Sequence, residues 1–191
     1  MELTVVTTEP IIWTTSDLDR FSDQTNRYEI IEGELFVTRA SHWRHQNLCG
    51  RIFSVLETWS KATGLGQTAV GPGLIFSETN NVIPDVVWVS QEQLETILDE
   101  SGHLIAAPDL VIEILSKSLS DRQRDRITKL KLYGSQGVRE YWIFDPEAKQ
   151  VEIHRRDQFG NLKLVATLFA NDRLTSPLLP EFDCTIAPLF E

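Results

Sequence analysis

Cysteine is scarce: Cys49 and Cys184 are the only two in 191 residues. Two thiols are too few for a disulfide framework, and they lack the spacing of a zinc site, so a reducing cytoplasmic location is expected. No apolar run is long enough to span a bilayer. The opening stretch, MELTVVTTEPIIWTT, carries an acid at its second position and no basic region before a long apolar core, which argues against a secretory signal. Repeats and low-complexity tracts are absent. Basic charge is also short, with 18 Lys and Arg against 28 Asp and Glu and a net charge of −10. That balance speaks against a large nonspecific nucleic-acid surface, which works by neutralising phosphates. What is left fits one domain, residues 1–191 with 1–15 as an N-terminal extension, able to bury roughly 70% of its unfolded surface without cross-links.

The organising stretch runs from Ala107 to Asp145. Leu110 to Leu115 has the length and β-branched content of a strand covered on both faces, yet it carries Glu113. A carboxylate there must be paired, protonated or bound to a cation, because an isolated buried charge is too costly. Ser118 to Asp121 resembles a helix cap, good helix formers run to Tyr133, and Gly134 breaks the pattern. A second strand, Glu140 to Phe144, ends at Asp145-Pro146. The unit is strand, helix, strand, a crossover of a mixed sheet. Six of the 18 basic residues crowd Lys117 to Lys131. A solvated helix face, with pairs such as Asp125 to Lys129 at i,i+4, is the simple reading, weaker for Lys129 because Leu132 and Tyr133 follow at i+3 and i+4.

Upstream, Ser16 to Asp23 reads as a short helix capped by Ser16. Tyr28 to Val37 reads as a hairpin turning at Gly33, with Glu29 free to face either way. Ser41 to Lys61 is the clearest helix, with Leu48, Ile52, Leu56 and Trp59 at helical intervals. His45 extends that stripe and is more often a core histidine than a catalytic one; His42 and His45 make only a weak metal pair. The glycines from Gly64 to Gly73 suit turns and do not form a phosphate loop. Pro84-Asp85 then opens the apolar strand Val86 to Val89, where an acid is out of character unless it caps the strand end. Gln91 to Glu100 reads as a polar surface helix. Two acids on separate apolar strands, Asp85 and Glu113, can share one hard cation whose shell a phosphate oxygen completes. A lysine nearby would orient the attacking water or offset charge on the phosphate.

Pro84-Asp85, then Glu113 within Val-Ile-Glu-Ile-Leu, then a basic helix, resembles the PD-(D/E)XK nuclease superfamily and, more narrowly, the Uma-two family of restriction endonucleases. The likeness also takes in Tyr28-Glu29 with Gly33, His45, Pro108 to Ser116, Asp125 with Lys129 and Tyr133, Gly137 to Trp142, Asp145-Pro146 and Ser176 to Pro180. Each motif is weak alone, but their joint order is specific. It implies an α/β fold: a restriction-endonuclease-like central mixed β-sheet flanked by helices, with an N-terminal hairpin and a C-terminal β-hairpin.

The superfamily's lysine is expected two residues after the second acid, where this chain has Leu115. The resemblance implies that Lys129 on the following helix takes that role, with Lys131 and Lys117 as rivals. It further implies Asp85 and Glu113 as ligands of Mg2+ (Mn2+ as the alternative), with the Ile114 carbonyl as third ligand. Lys129 would position the water, Glu29 would hold Lys129 or a second cation, and His45 would hydrogen-bond a carboxylate or the phosphate. Tyr133 and Asp109 read as structural. The expected activity is DNA phosphodiester hydrolysis by a homodimer with no membrane partner. The alternatives are a catalytically inactive binding or assembly module on the same fold and, more weakly, hydrolysis of a small phosphate ester.

Overall fold

A computed structural model describes residues 10–21 and 25–191. The N-terminal part is built on a hairpin, β1 (Asn26–Ile31) and β2 (Glu34–Arg39), which turns at Gly33 as expected. Before it lies a single helical turn, α1 (Thr15–Leu18). It is shorter than expected and capped by Thr14 in place of Ser16, because Thr14 and Asp17 satisfy each other's first-turn groups. Asp23, the expected end of that helix, lies outside the described residues. The long helix α2 (Trp43–Thr63) starts two residues later than expected. His42 sits outside it as the cap, its Nδ1 accepting from the Arg44 N–H at 3.2 Å. Gly64 closes the helix in the left-handed conformation.

The strands β3 (Gly66–Val70), β4 (Leu74–Ser77), β5 (Asn80–Val82) and β6 (Val86–Ser90) follow, then α3 (Gln91–Ile97), β7 (Leu110–Ile114) and the crossover. That crossover is not one continuous α-helix. It is α4 (Leu119–Gln123), a π-helical turn (Arg124–Lys129) and α5 (Leu130–Gln136), with Ser118 Oγ capping its start as expected. Gly134 does not end it. The helix runs through Gly134 and stops at Gly137, whose φ of 109° suits only glycine well. The chain ends with β8 (Glu140–Asp145), β9 (Gln150–Arg156), β10 (Leu162–Phe169), β11 (Arg173–Ser176) and β12 (Leu179–Thr185).

The central sheet is mixed, in the order β10-β9-β8-β7-β6-β3; β7 and β8 run parallel across the crossover and the other pairs are antiparallel. The hairpin β1–β2 belongs to a second sheet, β2-β1-β5-β4, and β11–β12 forms a separate C-terminal hairpin. Alternation along β7 sorts its side chains between two cores. Leu110, Ile112 and Ile114 meet Leu48, Ile52 and Leu56 of α2, with Leu174, Leu179 and Phe182 of the C-terminal hairpin. Val111 and Leu115 meet Leu132 and Tyr133 of α5 with Ile31, Leu74 and Val82 of the second sheet. Glu113, between Val111 and Leu115 on that second face, therefore points where the crossover helices and β1 converge. Among the described residues no helix is long and apolar enough to cross a membrane.

Candidate active site

Asp85 and Glu113 meet at the same end of adjacent strands. The last paired residues of β6 and β7 are Val86 and Ile112, and one step further in that register lie Asp85 and Glu113. Both are buried, and both line one cleft together with Glu29, Arg27, His45, Asp125 and Lys129. Asp85 is held on three sides. Its Oδ2 accepts from the Ile114 N–H at 2.8 Å and from His45 Nε2 at 3.1 Å, and its Oδ1 lies 3.2 Å from Arg27 Nη1. His45 Nε2 is also 3.1 Å from the Ile114 carbonyl, so the two oxygens require the proton on Nε2. Its Nδ1 is buried with no hydrogen-bond partner among the described residues.

Lys129 is the lysine that arrives. Its Nζ lies 2.9 Å from Glu113 Oε1, 2.9 Å from Glu29 Oε1 and 3.9 Å from Asp125 Oδ1. The rivals do not reach: Lys131 pairs with Glu32 at the surface, and Lys117 is exposed. The π-helical turn turns Asp125 and Lys129 inward together, so the pair expected on a solvated face is buried; such turns often mark functional sites. Of the neighbouring arginines, Arg122 and Arg126 pair with Asp145, and Arg126 also with Glu152. Glu29, left open by the hairpin pattern, faces inward and also accepts the Ile83 N–H at 2.9 Å. Tyr133 packs in the core as expected, but its hydroxyl also donates to Glu113 Oε1 at 2.8 Å. Asp109 is structural, accepting from the Ser90 N–H and from Arg139.

Charge is out of balance here. Burial disfavours the Lys129 ammonium, but Glu113, Glu29 and Asp125 outweigh it and hold its pKa above the ordinary lysine value. Burial works equally against Glu29, and Lys129 with the Ile83 N–H brings that carboxyl below its ordinary value. Glu113 goes the other way. Burial lifts it, Lys129 opposes, and the carboxylates of Asp85, Asp125 and Glu29 add to the lift, placing it at about 8. Burial likewise lifts Asp125 to about 6, against the pull of Lys129 and Arg124. Asp85 overcomes its burial through His45, Arg27 and the Ile114 N–H and sits at about 2. Burial lowers the His45 imidazole, yet Asp85 more than compensates and raises it. One ammonium thus serves two carboxylates, and Glu113 is the acid left in surplus.

A divalent cation fits that surplus. Among the described residues no three His, Cys, Asp or Glu side chains are grouped as a metal shell. The oxygens that could face such an ion are the Asp85 and Glu113 carboxylates and the Ile114 carbonyl, of which Asp85 and the carbonyl are now held by His45, Arg27 and the Ile114 N–H; hard oxygens of this kind are what magnesium takes when waters and phosphate complete its shell. Among the described residues no hydrogen bond engages Glu113 Oε2, since Lys129 and Tyr133 both take Oε1.

The family model Uma2, described as "Putative restriction endonuclease", matches residues 15–187. The chain belongs to the Uma2 family. A crystal structure described as "a putative nuclease belonging to DUF820", from Anabaena variabilis, matches this Uma2 chain with a TM-score of 0.73 at 19% identity, covering 93% of this chain and 97% of that one. At that identity the likeness establishes the fold. No curated protein matches the sequence.

Of the residues expected at the site, Asp85, Glu113, Lys129, Glu29, His45 and the Ile114 backbone all come together in this Uma2 chain. Arg27 was not expected there, although a strand's period of two places it on the Glu29 face, so the signal was available. Asp125, taken in by the likeness without a role, and the Tyr133 hydroxyl, expected only to pack, both join the site; Asp125 lies on the π-helical turn and Tyr133 on α5.

Proposed function

We propose that this Uma2 chain is a metal-dependent endonuclease hydrolysing DNA phosphodiester bonds. The observation that carries the reading is the Lys129 ammonium standing 2.9 Å from Glu113 and from Glu29, in a cleft that Asp85 and His45 also line. Asp85, Glu113 and the Ile114 carbonyl would hold Mg2+ or Mn2+, which when bound supplies Lewis acidity to the phosphate and acidifies a water. Lys129 orients the attacking water and offsets the charge that grows on the phosphate oxygens. Glu29 keeps that ammonium charged and in place. His45 and Arg27 fix the Asp85 carboxylate, and Tyr133 fixes one oxygen of Glu113 while the other faces the reaction.

The second reading, a binding module without catalysis, draws on the protein partners that Asp85 and Glu113 already have. Cleavage of plasmid DNA decides between them. Activity that requires Mg2+ or Mn2+ and disappears in Asp85→Ala and Glu113→Ala, both still folded, supports the enzyme. Variants that cut as well as the parent contradict it. Mononucleotides competing as well as duplex DNA would redirect the reading to a small phosphate ester.

A further inference from the structure

The cleft carries cationic charge that the acids at its floor do not use. Arg39, Arg44, Arg51, Lys117 and Lys149 all line it, and among the described residues none is ion-paired with an acid. Among the described residues Arg51 reaches only the backbone carbonyls of Pro188 and Leu189. Elsewhere most arginines are matched: Arg20, Arg122, Arg126, Arg139, Arg155 and Arg173 meet carboxylates, while Arg156 reaches the Gly134 carbonyl. Of the rim acids, Asp121 pairs with Arg124, Glu147 shares Arg122 with Asp145, and Glu191 has no ion pair among the described residues. Against a chain of net charge −10, the cleft is lined by eight Lys and Arg and seven Asp and Glu, so its rim is enriched in cations relative to the rest of the molecule.

Next to them along the chain, at the edge of the cleft and not lining it, stands Trp43, 79% exposed, while Trp88 and Trp142 are buried and Trp13 and Trp59 half-buried. A lone exposed apolar residue needs no explanation. Trp43, however, lies between His42 and Arg44, which line the cleft, and shares the i, i+4, i+8 row of α2 with Asn47 and Arg51, which line it too. An indole stacks most readily on a base that lacks a neighbour, as in a single strand; inside a duplex, away from its ends, both faces are already covered.

We infer that a single-stranded polynucleotide runs through this cleft, its flanking phosphates on the five cations and one unpaired base stacked on the Trp43 indole. The inference rests on the nucleic-acid reading above but not on catalysis. Stacking is tolerant of base identity, so the cations and Trp43 set the form of the substrate and not its sequence.

The test is a fluorescence titration in EDTA, which separates binding from cleavage, using a 12-nucleotide single strand, as DNA and as RNA, and a blunt duplex. The single strand should quench the exposed tryptophan emission, and Trp43→Phe should lose that quenching while keeping the affinity. Trp43→Ala should weaken single-strand binding about tenfold. Lys117→Gln with Lys149→Gln should lower the slope of log K against log salt by about 0.7 per cation lost. Circular dichroism melting checks that each variant is folded. Equal affinity of Trp43→Ala and parent, or duplex bound more tightly than single strand, overturns the inference. Binding with these signatures but no metal-dependent cleavage keeps it and removes the nuclease reading. Metal-dependent cleavage that Trp43→Ala leaves unchanged does the reverse.

Discussion

Glu113→Gln isolates the charge imbalance at the site, because it keeps the shape of the side chain and deletes only its ionisation. In the metal-free protein the Glu113 carboxyl titrates at about 8 against an ordinary 4.5. The folded chain therefore holds a proton that the unfolded chain has already released, so stability falls as pH rises from 4.5 and levels off above about 8. At 1.36 kcal/mol per unit, the loss is on the order of 5 kcal/mol. For a chain of this size that corresponds to roughly 10 °C in Tm. Asp125, at about 6, adds a loss of the same sign between 3.8 and 6, and His45, raised above 6.5, adds another as it releases its proton. Both additions remain in the variant. Thermal melts in EDTA should therefore nearly coincide for parent and Glu113→Gln at pH 5, where Glu113 is already protonated, and the variant should melt higher at pH 8. Magnesium should restore the parent at pH 8 and leave the variant unmoved, since the cation binds the ionised carboxylate. A variant less stable than the parent at pH 8, or a parent whose Tm is flat from pH 5 to 8, refutes the reasoning.

Other perturbations follow from the same contacts. Lys129→Met leaves Glu29 and Glu113 without their shared ammonium, and chemical denaturation should register a loss of about 3 kcal/mol together with loss of cleavage. Tyr133→Phe removes a hydroxyl donor to Glu113 and should cost about 2 kcal/mol in the same assay. Below about pH 4 the metal-free chain should lose stability as Asp85 is protonated, because its folded pKa of about 2 lies under the ordinary 3.8; an acid titration followed by circular dichroism checks this. Gly137→Ala forces a β-carbon onto a φ of 109°, and its Tm should fall while activity per folded molecule is unchanged.

The crossover unit was legible because its signals are local: an apolar run with one acid, a serine cap, a basic helix and a second apolar run. The same locality explains the failures. Gly134 and Gly137 are both glycines near a helix end, and only tertiary packing decides that the first is crossed and the second stops the helix. The convergence of β1 on β7 is a long-range event. The hairpin pattern showed that Glu29 exists on an alternating strand but not which face is buried, and that left Arg27 unconsidered. Lys129 was reachable from sequence through the family likeness and through Leu132 and Tyr133 beside it. The π-helical turn that carries it, with Asp125, was not read from the residue pattern.

Sharing of one divalent ion by Asp85 and Glu113, beside the Lys129 amine, is open to direct test by anomalous diffraction from crystals soaked in manganese. A single strong peak touching both carboxylates and the Ile114 carbonyl oxygen is expected, absent in crystals of Asp85→Ala. A peak elsewhere, or none at a concentration that supports cleavage, would contradict it.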